Sequence, residues 1–205
     1  MIPCCCFNYA VRADLFIDLV QLGFSFLAFI LSIVALAGGV ADNVDGLKSA
    51  GWLSAESGGT NSYLGWSHSC IERRGKSMCG ETDWDKKEAA TAMGALSFLF
   101  ALANLVLVAV KTRCGLTKML SMIGCGVCFL GMIFTLACFG MFAGEETISE
   151  ALDAGASYGP GFGSSVTCFV FLLISLVLGV ISLLPCMEIK PVELPSARAA
   201  NQEGV

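Results

Sequence analysis

Four long apolar stretches alternate with polar segments along this chain of 205 residues. Each stretch has roughly 20 or more mostly apolar residues, which is the length that an α-helix needs to cross the hydrocarbon core of a bilayer. The pattern therefore predicts an all-α membrane protein built as a four-transmembrane-helix bundle. The predicted spans are residues 15–40, 89–110, 118–142 and 164–185.

The polar segments between the spans differ in length and character. Residues 41–88 form the longest of them and residues 143–163 a shorter one, and we expect these two to be the outer loops. A short basic turn, residues 111–117, joins the second and third spans, and residues 1–14 and 186–205 are the ends of the chain. The first span is too long for the apolar region of a signal peptide, so we expect it to be retained as a helix.

The composition agrees with a membrane protein and excludes one class of partner. Hydrophobic residues make up 56% of the chain and charged residues only 14%, whereas charged residues average about 25% in soluble domains. The net charge is −5, while a nucleic-acid-binding protein needs a basic face. We therefore expect the lipid bilayer and other membrane proteins as partners, and neither nucleic acid nor a small-molecule substrate.

The distribution of basic residues indicates the orientation in the membrane. Four spans place both ends of the chain on the same side. Lys111, Arg113 and Lys118 lie close together around the short turn, whereas residues 143–163 contain no lysine or arginine. Short segments rich in lysine and arginine face the cytosol. We predict that the turn and both ends are cytosolic, that the outer loops face the cell exterior, and that the membrane is the plasma membrane.

The long outer loop contains two cysteines that can pair. On the outer side the compartment is oxidising, and Cys70 and Cys79 are the only cysteines in either outer loop. Gly75, between them, supplies the backbone freedom that a tight turn needs, so the two flanks can pair as a hairpin. A ring of about ten residues stabilises by ~2.5–3 kcal/mol in the chain-entropy model. We predict a Cys70–Cys79 disulfide that orders a mostly polar loop.

Small residues follow one face of the second span. Helices associate in lipid by close packing and by interhelical hydrogen bonds. The stripe of small residues therefore predicts a contact face for another helix, and the asparagine that continues it is predicted to find a hydrogen-bond partner across the bundle. These residues are Ala90, Gly94, Ser97, Ala101 and Asn104.

Acidic residues occur at two places near the predicted spans. Asp14 and Asp18 lie at the cytosolic end of the first span, where we expect them to stay hydrated, and no lysine or arginine lies deep within a span. Buried ionisable groups are typical of transporters and pumps, so the sequence argues against that class.

The second outer loop carries four acids and no base, which predicts a negative patch. The patch is Glu145, Glu146, Glu150 and Asp153.

A Cys-x-x-Cys motif, Cys125 to Cys128, raises the alternative of a membrane thiol oxidoreductase. Enzymes of the vitamin K epoxide reductase type combine such a motif with a pair of loop cysteines on a four-helix bundle. The outer end of the third span lies ~20–25 Å beyond Cys125 along the helix, so exchange with Cys70 and Cys79 is difficult. We therefore favour helix packing for Cys125 and Cys128, and we predict no enzyme activity, no catalytic residue, no metal and no cofactor.

Three cysteines near the start of the chain are candidates for a lipid modification. Cys4, Cys5 and Cys6 lie about ten residues before the first span on its predicted cytosolic side. Juxtamembrane cytosolic cysteines are common sites of S-palmitoylation. We expect possible palmitoylation at this cluster, with unmodified thiols as the alternative.

The long loop also carries an ordered set of aromatic, glycine and cysteine residues. In chain order they are Trp52, Leu64, Gly65, Trp66, Cys70 and Cys79. This order resembles the loop signature of the claudin and peripheral-myelin-protein superfamily, which is a Trp, then Gly-Leu-Trp, then two paired cysteines. The resemblance implies a small antiparallel sheet packed on the outer ends of four helices. It also implies that Trp52 and Trp66 anchor the sheet at the membrane interface.

The resemblance has limits that bear on function. Gly65 and Leu64 are reversed relative to the family signature, and three residues rather than two separate Trp66 from Cys70, so a tight-junction role is not implied. Residues 158–163, Tyr-Gly-Pro-Gly-Phe-Gly, resemble the amastins, which are protozoan surface proteins of the same broad group. The segment between the two cysteines lacks the Trp-Gly or Phe-Gly of that branch.

The leading hypothesis is a claudin-like integral membrane protein that acts by protein–protein contact, in adhesion, lateral assembly or as a partner subunit at the cell surface. Other copies of this chain, in homo-oligomers, are among the expected partners. One alternative is an accessory transmembrane subunit of a larger channel or respiratory complex, which the small-residue stripe fits equally well. The other is the thiol oxidoreductase that would use Cys125, Cys128, Cys70 and Cys79.

Overall fold

The computed structural model describes residues 4–82, 86–114 and 118–183. Four of its helices are long and apolar enough to cross a membrane, which confirms the predicted number of spans. In chain order the helices are α1 (Cys4–Val40), α2 (Val44–Ala50), α3 (Lys87–Cys114), α4 (Lys118–Ala143), α5 (Glu146–Asp153) and α6 (Pro160–Leu183).

The long helices extend beyond the apolar stretches that predict them. Helix α1 begins at Cys4 and α6 at Pro160, both earlier than the hydropathy pattern indicates. Hydropathy marks only the apolar part, whereas helical hydrogen bonding continues into flanking small and polar residues. Proline suits the first position of a helix because its fixed φ is already helical and its missing N–H is not needed there. The described part of the structure does not include residues 115–117 and 184–205, nor the side chains of residues 4–15. The predicted palmitoylation sites, Cys4, Cys5 and Cys6, are among those side chains.

The four long helices form a ring in which each contacts two neighbours. Helix α1 packs against α3 and α6, and α4 packs against the same two helices. Large apolar side chains such as Phe26, Leu99, Leu130 and Val177 are exposed around the outside. This apolar outer surface matches contact with the lipid bilayer.

A small antiparallel sheet lies at one end of the bundle, which we call the sheet end. We call the opposite end, where α3 ends and α4 begins, the turn end. Most of the sheet comes from the segment between α1 and α3, and its last strand comes from the segment between α4 and α6. The spatial order is β4-β3-β2-β1-β5. The strands are β1 (Leu53–Ser57), β2 (Thr60–Leu64), β3 (His68–Arg73), β4 (Lys76–Glu81) and β5 (Ser157–Tyr158).

Two hairpins of the sheet turn through two residues each. Gly58 and Gly59 join β1 to β2, and Arg74 and Gly75 join β3 to β4. All four have positive φ, as a type I′ turn requires to match the twist of the flanking strands. The predicted hairpin around Gly75 is therefore present, and each of its two strands, β3 and β4, has six residues.

Both segments predicted as outer loops also contain a short helix. Helix α2 starts after Asn43, whose side-chain oxygen accepts a hydrogen bond from the Gly46 N–H at 2.7 Å, and it buries Leu47. Helix α5 buries Ile148. Seven or eight residues give two turns, which is too short for a helical periodicity to stand out in the sequence.

Candidate functional site

Two tryptophans fix the sheet to the bundle. Trp52 and Trp66 are 0% and 1% exposed, and their ring centroids lie 4.8 Å apart. The Trp52 indole N–H donates to the Ala35 carbonyl of α1 at 2.9 Å, and Phe142 of α4 lies edge-on to Trp52 at 5.1 Å. The prediction that the tryptophans anchor the loop at the lipid interface is therefore wrong. They lie inside the protein because the helix ends leave a gap that they fill.

The gap that holds Trp66 is bounded by two glycines. A Cβ atom built on Gly39 of α1 would lie 2.2 Å from the Trp66 ring, and a Cβ on Gly94 of α3 would lie 2.2 Å from it as well. The Gly39 carbonyl also accepts hydrogen bonds from the N–H groups of Trp66 and Ser67, at 2.8 and 3.1 Å. Gly94, predicted as part of a helix-packing stripe, thus makes room for an aromatic ring of the loop.

Replacing Gly94 by alanine should displace Trp66 and lower the free energy of unfolding by about 1–3 kcal/mol, as overpacking does in a well-packed core. The thermal unfolding midpoint in mild detergent measures the effect. Gly140→Ala in α4 is the matched control, because nothing lies within 4 Å of a Cβ there. Equal unfolding midpoints for the two variants would contradict the close packing of the Trp66 ring against Gly94.

The remaining residues of the loop signature lie at the same joint. Leu64 packs against the core cluster that contains both tryptophans. The Gly65 N–H donates to the His68 carbonyl at 2.8 Å, and a Cβ on Gly65 would lie 2.6 Å from the Gly38 carbonyl oxygen. The structure therefore brings Trp52, Leu64, Gly65 and Trp66 together where the sheet meets α1.

The segment between α4 and α6 closes over Trp52. The Gly159 N–H donates to the Trp52 carbonyl at 2.8 Å, and the Gly161 N–H donates to the Gly51 carbonyl at 3.0 Å. Phe162 stands edge-on to Trp52 at 5.7 Å. Sequence reasoning treated this glycine-rich segment only as a family likeness. Its alternating glycines were the available signal, since a close backbone approach requires residues without a Cβ.

The predicted disulfide is present. Cys70 of β3 and Cys79 of β4 are directly opposite each other in the sheet, with a Cα–Cα distance of 4.1 Å, and their sulfurs are bonded. Cys70 is fully buried and Cys79 is exposed. The bond ties the edge strand β4 to a strand whose inner end lies against the bundle.

Three residues of the predicted acidic patch lie on one face of α5, and the fourth forms an ion pair with the other loop. Glu146, Glu150 and Asp153 are exposed and are spaced four and three residues apart, so they share one side of the helix. Glu145 instead pairs with Lys86 at 3.4 Å, and its side chain is only 18% exposed. The sequence could not show this pairing because Lys86 belongs to the other loop. We call Glu146, Glu150 and Asp153 the acidic face.

A basic cluster lies beside β4, at the opposite edge of the sheet from β5, the strand that follows the acidic face in the chain. Arg73, Arg74 and Lys76 surround the β3–β4 turn and are exposed; we call them the basic turn. Strand β4 is one edge of the sheet, while β5, which follows α5 in the chain, is the opposite edge. Beside the basic turn, Ile71 and Met78 face each other across β3 and β4 and are 50% and 80% exposed.

The small-residue stripe of α3 faces the interior of the bundle. The five residues predicted to pack are all buried: Ala90, Gly94, Ser97, Ala101 and Asn104. Ser97 bonds to Thr135 of α4 through the two hydroxyls, at 2.5 Å. The Asn104 amide nitrogen lies 3.0 Å from the Ser25 hydroxyl of α1 and 3.4 Å from the Ser175 hydroxyl of α6. Asn104 thus bonds across the bundle to two other helices.

An ion pair joins three helices toward the turn end. Lys111 of α3 lies 2.8 Å from Asp18 of α1, and the two side chains are only 12% and 20% exposed. The Lys111 ammonium also donates to the Ser182 hydroxyl of α6 at 3.0 Å. The expectation that Asp18 stays hydrated is wrong, because the long lysine side chain folds back onto the bundle and pairs with it.

The cysteines of the Cys-x-x-Cys motif remain thiols. Cys128 donates to the Leu172 carbonyl of α6 at 3.0 Å, and neither Cys125 nor Cys128 is in a disulfide. Helix α4 continues for fifteen residues beyond Cys128 to Ala143, a distance of ~22 Å along the axis. The motif therefore lies deep in the bundle, away from the Cys70–Cys79 bond. In the described part of the chain, no three His, Cys, Asp or Glu side chains are grouped to hold a metal ion.

Comparison with known proteins gives no family for this chain. No protein-family model matches it, and no curated protein matches it. The proposed function therefore rests on two features of the structure: the disulfide-linked sheet, and the basic turn and acidic face near its two edges.

Proposed function

We propose that this chain is a claudin-like surface protein that acts by contact with other membrane proteins, including copies of itself. One observation carries the proposal: the basic turn lies beside β4 at one edge of the sheet, and the acidic face precedes β5, the strand at the opposite edge, by a few residues in the chain. Such a pattern is self-complementary between neighbouring copies, because the basic side of one copy can meet the acidic side of the next. Adhesion, lateral assembly and service as a partner subunit all use this kind of contact.

The disulfide supports an orientation for this surface. Disulfides persist on the oxidising side of a membrane, so the sheet would face the cell exterior at the plasma membrane. The basic residues around the turn between α3 and α4 would then face the cytosol, as the positive-inside rule requires. Both ends of the chain would lie on that cytosolic side.

The geometry favours a head-to-tail contact. Because the two charged surfaces differ, a contact between them is heterologous, and such contacts produce rings or open arrays rather than closed pairs. Strand β4 is exposed along its whole length, so its free edge is available beside the basic turn. Lateral assembly in the membrane plane is therefore the mode that the charge pattern supports best.

The two alternatives have less support. A subunit of a larger complex needs an open face for a foreign helix, but the small-residue stripe of α3 is buried within this chain's own bundle. An oxidoreductase needs thiol exchange between the Cys-x-x-Cys motif and the loop pair, and ~22 Å of helix beyond Cys128 stands against it.

Charge reversal tests the contact between copies. Reversing the basic turn (R73E/R74E/K76E) or the acidic face (E146K/E150K/D153K) should reduce crosslinking between differently tagged copies in membranes. Mixing the two variants should restore crosslinking, because each then supplies the surface that the other needs. Added salt should weaken the wild-type contact, because exposed charges are screened beyond a Debye length of about 8–10 Å.

Single reversals at other exposed charges serve as controls. Lys48→Glu on α2 and Glu88→Lys at the start of α3 alter exposed residues outside both surfaces, so crosslinking should stay at the wild-type level. Self-association that is insensitive to both triple variants and to salt would mean that the charged surfaces are merely hydrated, and the proposed contact would be abandoned.

A further inference from the structure

We propose that the middle of the bundle is a water-binding site, formed by Gln21 and Ser25 of α1, Asn104 of α3 and Ser175 of α6. These side chains are all at least nine-tenths buried. They lie within segments that are long and apolar enough to cross a membrane. No part of the proposed surface function requires such a site, so the inference stands independently of that function.

Each donor atom of this site has at least one partner within the protein. The Gln21 amide nitrogen donates to the Ser175 backbone carbonyl at 3.1 Å. The Asn104 amide nitrogen reaches the hydroxyls of Ser25 and Ser175, which lie 3.0 Å from each other. The Ser25 hydroxyl also lies 2.9 Å from the Gln21 backbone carbonyl. One connected network thus links α1, α3 and α6.

The acceptors of the same two amides are not satisfied. Gln21 Oε1 and Asn104 Oδ1 are buried and accept no hydrogen bond from the described residues. Leaving a buried acceptor unpaired is destabilising, because its bond to water is lost and not replaced, and no lipid group can supply the missing donor. Turning either amide over does not help, because an N–H would then be left unpaired in place of the oxygen.

The missing partner must therefore donate hydrogen bonds or carry positive charge. Moving an isolated ion into a medium of low dielectric carries a large desolvation cost, and the amides and hydroxyls here carry no negative charge to offset it. Immobilising a water molecule costs far less, and a buried water typically makes about three hydrogen bonds. Water is thus the occupant that the chemistry of the site favours.

The site lies nearer to the turn end of the bundle than to the sheet end. Asp18 precedes Gln21 by three residues of α1, or about 4.5 Å along its axis. Asp18, Lys111 and Ser182 belong to the same three helices as the site and keep some exposure at that end of the seam. The ion pair therefore lies between the site and the turn end, where water from outside the bundle is nearest.

A crystal structure at a resolution that shows waters tests the inference directly. Ordered density should lie about 2.7–3.2 Å from Asn104 Oδ1 and from Gln21 Oε1, as one shared water or as two. The inference is overturned if both oxygens lack such density, or if both amides rearrange to pair with the protein. Unfolding midpoints should also be equal in NaCl and choline chloride, since sodium-specific stabilisation would mean that a cation replaces the water.

Radiolytic hydroxyl labelling provides a second test in native-like membranes. Radicals formed from a bound water oxidise the thiols beside it. A Cβ on Gly179 would lie 2.9 Å from Cys125 Sγ and 3.1 Å from the Gln21 amide nitrogen, so that thiol and that amide are neighbours. Gln21→Leu should slow Cys125 oxidation several-fold, because the leucine removes the orphaned acceptor.

Cys138 is the internal control for this labelling experiment. It lines a separate cavity of about 10 Å³ beneath Trp66, and its oxidation should not change in the Gln21→Leu variant. Ser97→Ala removes an interhelical hydrogen bond of α3 outside the site, and it should leave Cys125 oxidation at the wild-type rate. Equal Cys125 rates in wild type and Gln21→Leu would overturn the inference.

Discussion

Replacing Trp52 by alanine is expected to detach the sheet from the helix ends and to lower the free energy of unfolding by about 3–5 kcal/mol, the usual cost of truncating a buried large aromatic residue. Trp52 is fully buried and contacts Trp66, Phe142 and Phe162. Its indole also bonds to Ala35 of α1. The variant should show a lower unfolding midpoint and faster amide hydrogen exchange in β1 and β2.

Trp52→Phe separates the two contributions of this residue. Phenylalanine keeps most of the ring packing but loses the hydrogen bond to Ala35, whose net contribution is about 1 kcal/mol. Its midpoint should therefore lie between those of wild type and Trp52→Ala. If hydrogen exchange in β1 and β2 stays at the wild-type rate in Trp52→Ala, the sheet is held by something other than this residue.

Removing the disulfide should give the second largest effect. The double variant Cys70→Ala, Cys79→Ala should lose about 2.5–3 kcal/mol, the chain-entropy value for a ring of this size. The loss should be local, with faster exchange in β3 and β4, because these strands carry the bond while the tryptophans still hold β1 and β2. Peptide mapping of the unreduced wild type should find the two cysteine peptides linked.

Cys138→Ala is a control that removes a cysteine without removing a disulfide. Cys138 is buried in α4 as a free thiol, so this variant should leave exchange in β3 and β4 unchanged. Two free thiols at Cys70 and Cys79 in freshly isolated protein would contradict both the bond and the orientation inferred from it. Faster exchange throughout the helices of the disulfide variant would show instead that the bond stabilises the whole molecule.

The number of membrane-spanning helices and the pairing of cysteines were predictable because each depends on local sequence. A span requires only a sufficient length of apolar residues, and the hairpin requires only a turn-forming glycine between two cysteines of one loop. The inward position of Asn104 also followed from its place on the small-residue face of α3. These features need no knowledge of how distant segments meet.

What the sequence could not show involves contacts between distant segments. Trp66 fits between Gly39 and Gly94, which belong to different helices, so a rule for interfacial aromatics placed it wrongly. The ion pair between Lys111 and Asp18 was missed because these residues also belong to different helices, α3 and α1. Residues Ser157 and Tyr158 form a strand only because β1 is already there to pair with them, and two residues carry no strand signal of their own.

The place of β5 in the chain has a consequence for biosynthesis. The four strands up to Glu81 are complete early in translation, whereas Ser157 emerges only after α3 and α4 have been made. At about 5–20 residues per second, the ribosome needs several seconds to cover that interval. During this time Trp52 lacks Phe162 and the backbone of Gly159 and Gly161. A nascent chain thus leaves the side of Trp52 that Phe162 covers open until α6 has been made and packs over it.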